Sequence, residues 1–145
     1  MLVGSQASQT LEMYLWPSHY PHSCPPSDAD PASGEIYRFT YKASPAAKDF
    51  KSFYDADPTK DWGEMACQAR GLSVYPTLEA CREAARKVPS LAKKRLAVGV
   101  MQGSYGMVAQ TPSKNTSNHM TWWVSPSCPD PTMFFVPVGN GANNA

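Results

Sequence analysis

No stretch of this chain approaches the ~18 consecutive apolar residues that a membrane-spanning helix needs. Met1 to Thr10 is polar and mixed, without the basic segment and apolar run of a cleaved secretory leader. A cytoplasmic chain with no membrane partner is therefore expected. Charge is also sparse. Asp, Glu, Lys and Arg make up 17% of the residues and the formal net charge is +1, against a usual charged share of ~25%. The basic excess of a nucleic-acid binder is missing, so no nucleic-acid partner is expected. There is no Gly-rich phosphate loop, no Gly-x-Ser-x-Gly elbow, no His-Glu-x-x-His helix and no internal repeat. Each absence removes a motif-defined class of enzyme or scaffold, and no other single motif names a reaction.

Cysteine is scarce and unpatterned. Cys24, Cys67, Cys81 and Cys128 stand far apart, with no Cys-x-x-Cys pair to suggest a zinc ribbon or a redox motif. A reducing compartment is expected, with Cys81 a small core residue on a helix. A Cys24–Cys128 bond would form if the two proline-rich ends lie together. Proline, by contrast, is abundant, with 14 residues against ~7 at average usage. Five precede Gly34 and five follow Gln110, so irregular chain is expected on either side of a regular middle. The 145 residues fit one domain able to bury a core. Its expected parts are a proline-rich extension at 1–34 packed on the core, an α+β core at 35–138 and a flexible tail at 139–145.

Glu35 to Tyr41 alternates, with Tyr37, Phe39 and Tyr41 on one face and Ile36, Arg38 and Thr40 on the other, and predicts a strand. Leu11 to Trp16 predicts a short strand or helical turn. Ser44 or Pro45 opens an expected helix with Ala46, Phe50, Phe53 and Tyr54 on one side. Gly71 to Pro76 predicts a short strand ending in a turn. Thr77 to Val88 predicts an amphipathic helix, capped by Thr77, with Leu78, Cys81, Ala85 and Val88 as its buried stripe. Leu96 to Met101 predicts a strand, and Gly103 and Gly106 punctuate a hairpin-like stretch. Met120 to Val124 and Met133 to Val138 are the last expected strands. The order predicts an α+β fold, a mostly antiparallel sheet with two short helices.

Polar groups at strand ends are the candidates for a site. Arg38 is either a rim residue or an inward fork for a phosphate or carboxylate. Ser73 and Tyr75 share a strand face opposite Leu72 and Val74, which is either plain solvent-facing surface or a hydroxyl and a ring bracing a ligand. A lone histidine is more often structural. If Met120, Trp122 and Val124 face the core, however, His119, Thr121 and Trp123 share the other face, and an imidazole beside an indole suits a flat heteroaromatic ring. Lys93-Lys94-Arg95 reads first as a solvated turn and second as a phosphate-binding patch. His19-x-x-His22-x-Cys24 has ligand residue types at a proline-broken spacing that fits no standard zinc site, so no metal is expected. Glu35, Asp55, Asp57, Asp61 and Glu64 are acids that no motif places.

The series from Cys24-Pro25-Pro26 through Tyr37-Arg38-Phe39, Gly71-Leu72-Ser73-Val74-Tyr75 and Pro112-Ser113 to His119-Met120-Thr121-Trp122-Trp123 resembles small uncharacterised bacterial proteins. Those carry similar Tyr-Arg, Gly-Leu-Ser-Val and His-x-Thr-Trp-Trp motifs. At the level of fold, Tyr-Arg on a first strand, Gly-x-Ser before a helix and His-x-Thr on a late strand are similar to small ADP-ribosyltransferase-fold toxins, among them effectors of type VI secretion. That resemblance implies an ADP-ribosyltransferase-like fold binding NAD or another nucleotide. Ser73 and His119 would be its catalytic residues, and Arg38, Tyr75, Thr121 and Trp123 its binding residues. Arg38 would hold the phosphates, Ser73 would brace the nicotinamide ribose, Tyr75 and His119 would flank the ring, and Trp123 would close the pocket. The late strand carries Thr121, Trp122 and Trp123 where a catalytic glutamate is sought. The rival expectation is a non-enzymatic interaction protein, a phage- or plasmid-encoded inhibitor or an immunity partner bound to a host protein.

Overall fold

The alternating segments of the regular middle pair as strands, but they divide between two sheets. The computed structural model describes residues 14–139. Strands β1 (Asp30–Pro31), β5 (Gly106–Gln110), β6 (Met120–Val124) and β3 (Leu72–Val74) lie in that order in one antiparallel sheet. Strands β2 (Gly34–Thr40), β4 (Arg95–Met101) and β7 (Val136–Pro137) form the other. The mixed α+β class is as expected, with two antiparallel sheets in place of one. Residues 11–13 of the expected Leu11 to Trp16 element, and 140–145 of the expected tail, lie outside the described residues.

The division shows in the partners of β4. That strand pairs along its whole length with β2, from Gly34↔Met101 to Thr40↔Arg95, and takes β7 on its other side. β5 pairs instead with β1 and β6 in the other sheet. The Gly103–Gly106 stretch is therefore a crossover between sheets and not the expected hairpin. Gly106 makes the exit at φ +136°, and a Cβ there would meet the Trp123 carbonyl oxygen at 2.0 Å. Only glycine fits both constraints.

The main helix runs Leu78–Lys87, with single helical turns at Phe53–Ala56 and Pro89–Ala92; in chain order these are α1 (Phe53–Ala56), α2 (Leu78–Lys87) and α3 (Pro89–Ala92). The Thr77 hydroxyl caps α2 by accepting from the Ala80 N–H at 3.0 Å, and Glu83 pairs with Lys87 at 3.4 Å. The fully buried stripe is Ala80, Cys81 and Ala84, not Leu78, Ala85 and Val88, which are half-buried. The opposing surface explains the shift. Tyr37, Phe39 and Tyr75 present large rings, so the facing side of the helix has to be small. Pro89 does more than end α2, because it opens α3 at its first position.

The helix expected after Pro45 is broken into a turn at Ala47–Phe50 and α1. The buried Asp49 carboxylate accepts the backbone N–H groups of Tyr41 and Ala46, which fixes the first turn. Ser52 then starts again as a fresh cap, accepting from Asp55 N–H at 3.0 Å. The last expected strand shrinks to Val136–Pro137 because Pro131–Met133 is wound into a turn capped by Asp130.

Trp122 and Trp123 alternate onto opposite faces of β6, and both are buried. Trp122 joins Ile36, Leu72, Val74, Ala97, Met101 and Phe135 in the core between the sheets. Trp123 lies in a second cluster with Cys24, Ala29 and Ala109, flanked by Trp16, Tyr20 and Cys67. Each indole N–H is satisfied, by the Tyr105 and Cys67 carbonyls at 3.0 and 2.9 Å.

Cys24 is bonded to Cys67, with Cα atoms 5.5 Å apart, and Cys128 is a free thiol. The pairing with Cys128 considered from sequence is thereby corrected. Cys24 and Cys67 meet beside Trp123, whereas Cys128 packs against the other core cluster. Closing a loop of this separation, 43 residues, restricts the unfolded chain by about 4 kcal/mol in the chain-entropy picture. Reduction of the purified protein should lower its unfolding free energy by up to that amount in urea titrations, while Cys128→Ser should leave it unchanged. Thiol titration of the unreduced, unfolded chain should count two thiols; four would show that the bond is absent.

Candidate functional site

Among the described residues, strand-like backbone pairing between the two sheets is one isolated bridge. Tyr37 and Tyr75 exchange both backbone hydrogen bonds at 2.9 Å, and the antiparallel pairing stops there. One step further along, the Ser73 carbonyl receives Arg38 Nη1 at 2.6 Å, and Arg38 Nε donates to the Asp49 carbonyl at 2.6 Å. The splayed strands leave a cleft of about 450 Å³, within the usual ligand-site range of ~300–1,000 Å³. Its lining includes Arg38, Tyr41, Lys48, Asp49, Lys94, Ser73, Tyr75 and His119.

A hydrogen-bonded relay forms one wall. Ser73 Oγ lies 2.8 Å from His119 Nε2. His119 Nδ1 is 3.0 Å from the Thr111 carbonyl and 2.9 Å from Thr111 Oγ1. A carbonyl only accepts, so Nδ1 carries the proton in the neutral ring and Nε2 presents its lone pair to the Ser73 hydroxyl. Thr111 Oγ1 in turn reaches Thr121 Oγ1 at 2.8 Å. The hairpin register sets this up. Gln110 pairs with Met120, and the next step bonds Thr111 N–H to the His119 carbonyl at 2.9 Å. Gly71 lets Thr121 into place, since a Cβ there would stand 2.3 Å from Thr121 Cγ2.

Burial holds His119 below its ordinary 6.5, opposed by its bond to the Thr111 backbone and aided by the Arg38 charge. The ring is thus neutral at pH 7, the form in which Nε2 accepts a proton. Burial also brings Arg38 down to about 10, with Asp49 foremost among the charges that oppose the shift, and it remains a cation at neutral pH. Tyr75 is pushed up to about 12, chiefly by burial, so its phenol is protonated. Its ring meets that of His119 edge-on at 5.6 Å.

Arg38, Ser73, Tyr75 and His119 are thus brought together. Thr121 stands behind the wall and acts on His119 through Thr111. Trp123 shares the Thr121 face of β6 but packs with Cys24, Ala29 and Ala109 beside the disulfide and does not line the cleft. His19 is stacked on Tyr54 at 4.1 Å and accepts from Arg70, while Cys24 is bonded to Cys67. Among the described residues no group of three or more His, Cys, Asp or Glu is arranged to hold a metal ion. None of Glu35, Asp55, Asp57, Asp61 and Glu64 lines the cleft, whose lining carboxylate is Asp49. Sequence reading missed Thr111, Lys48 and Tyr41; the one available signal was the hairpin register that sets Thr111 against His119. Lys94 belonged to the basic run first read as a solvated turn.

No protein-family model, curated protein or solved structure matches the chain. Among the described residues no helix is long and apolar enough to cross a membrane.

The depressed His119 sets the sign of one pH effect. Between its folded value and 6.5 the unfolded chain binds the extra proton, so stability rises with pH through that window and falls as pH drops below about 6.5. The urea midpoint should decline between about pH 7 and pH 5, and His119→Gln should flatten part of that decline. An unchanged pH profile in the variant would show that His119 does not titrate in this way.

Proposed function

We propose that the cleft binds NAD or a related nucleotide, in an arrangement like that of the ADP-ribosyltransferases, and that the chain acts as a bacterial toxin of that kind. The observation that carries the reading is the convergence of the Ser73–His119 relay, the Tyr75 ring and the cations Arg38, Lys48 and Lys94 on one cleft. Cations suit phosphates, rings suit a base, and a hydroxyl backed by a neutral imidazole suits a ribose hydroxyl or a carboxamide. Two sheets splayed from a single bridge, with an arginine at the point of parting, also support the likeness.

The chemistry open to such a site is proton transfer through Ser73 to His119 Nε2 as a ligand hydroxyl becomes a nucleophile. Asp49 does not stand in for the missing glutamate, because its two oxygens already accept the N–H groups of Tyr41 and Ala46. Action in a cytoplasm, the expected location, further requires that the fold survive with the Cys24–Cys67 bond open, since reducing compartments keep thiols free.

Saturable thermal stabilisation by NAD, beyond that given by adenosine, is the expected result. Ser73→Ala and His119→Ala should each weaken NAD binding by about tenfold, the loss of one good hydrogen bond. Nicotinamide release on incubation would show turnover, and growth arrest on expression, relieved by Ser73→Ala, would show toxicity. No stabilisation by NAD or ADP-ribose at millimolar concentration would end the reading.

A second reading, an interaction protein, draws on one observation. Val100 and Val136, on the paired strands β4 and β7, are 64% and 53% exposed, and Met133 just before β7 is 78% exposed. Apolar side chains gathered on one side suit a protein partner. In that case Val100→Glu and Val136→Glu would abolish a stoichiometric complex without moving the melting temperature or the cleft's ligand affinity.

A further inference from the structure

The arginine that the resemblance assigns to phosphates already has two of its donors committed inside the protein. Arg38 Nε and Nη1 hold the Asp49 and Ser73 carbonyls, both at 2.6 Å. The cleft has other cations. Lys48, Lys51 and Lys94 line it, and none of them forms an ion pair among the described residues, where the pairs are Glu79–Arg86 and Glu83–Lys87. Two of these lysines are gathered at one ring. Lys48 Nζ is 5.0 Å and Lys94 Nζ 4.9 Å from the centroid of Tyr41, itself 58% exposed.

We infer that Tyr41, Lys48 and Lys94 form a phosphate subsite at the mouth of the cleft, which takes the diphosphate of a nucleotide ligand. This rests on the nucleotide reading of the cleft and names the part of the ligand held there. Two ammonium groups held at one ring gather positive charge there, and the lining carboxylate, Asp49, is buried and bonded to backbone N–H groups. A diphosphate reaching both ammonium groups gains two charge-assisted contacts. The ring holds both ammonium groups by cation–π attraction, and ring and lysines alike line the cleft. The placement concentrates positive charge on one feature of a chain whose net charge is only +1, which focuses an anion's approach. The opposite wall offers Ser113, Asn115 and Thr116 as polar partners. Their loop is held by Ser113 N–H on the Thr116 carbonyl, at 3.1 Å, and by a bond between the Ser113 and Thr116 hydroxyls.

The test is calorimetric titration with inorganic pyrophosphate, ADP-ribose and adenosine. It compares the wild type, the double variant Lys48→Gln/Lys94→Gln and the control Lys60→Gln, whose lysine rests on Trp62 outside the cleft. Lys48 and Lys60 are exposed and Lys94 is half-buried, and a thermal melt of each variant checks that the fold is kept. The wild type and Lys60→Gln should bind pyrophosphate and ADP-ribose alike, and the double variant should lose at least tenfold in affinity for both. Equal binding by the double variant, equal weakening by Lys60→Gln, or no pyrophosphate binding by the wild type would overturn the subsite. If pyrophosphate binds and is lost in the double variant, while ADP-ribose binds no tighter than pyrophosphate, the subsite stands and the nucleotide reading fails.

Discussion

Arg38 sits where the two sheets part, and its guanidinium makes that parting tolerable. Antiparallel strands that diverge leave carbonyls without ladder partners, and a buried carbonyl left unpaired is costly. Nη1 takes the Ser73 carbonyl and Nε the Asp49 carbonyl, so one side chain satisfies the open end of β3 and ties the turn after β2 to it. The charge is carried at a desolvation cost, visible in the lowered pKa of the group. What is obtained in exchange is a cleft with fixed walls: Ser73 on one, the turn bearing Asp49 and Lys48 on the other.

The relay behind Ser73 shows how little of a site needs to touch a ligand. His119 is oriented by Thr111, Thr111 by Thr121, and Thr121 by the absence of a side chain at Gly71. The first two links are short polar contacts, where partner geometry decides which imidazole nitrogen carries the proton, and the third is steric. The mouth of the cleft follows different physics. Its lysines rest against a ring on long, flexible stems, so they attract at a distance and adapt on contact.

Much of the secondary structure was legible because it rests on local pattern. The alternation of Glu35 to Tyr41, the Thr77 cap and the Glu83–Lys87 pair depend on near neighbours, and all three are present. The helix after Pro45 failed for a local reason with a non-local part: Asp49 spends its carboxylate on Tyr41 across the turn, which no helical periodicity reveals. The buried stripe of α2 moved because the rings opposite it, Tyr37, Phe39 and Tyr75, come from other segments.

By itself the sequence determined which residues had chemistry to offer and which strand faces they shared, since side-chain alternation is built into an extended chain. It placed Ser73 and Tyr75 opposite Leu72 and Val74, and that holds. Only the tertiary structure decided which of those faces meet. Trp123 shares a strand face with Thr121 and His119 yet is buried away from the cleft among Cys24, Ala29 and Ala109, because alternation assigns a face and cannot say what covers each part of it. Cys24 bonds Cys67 instead of Cys128, and Lys48 and Lys94 meet at Tyr41, through contacts between segments dozens of residues apart. Such pairings depend on how the sheets cross and part, and that is settled by packing the whole chain at once.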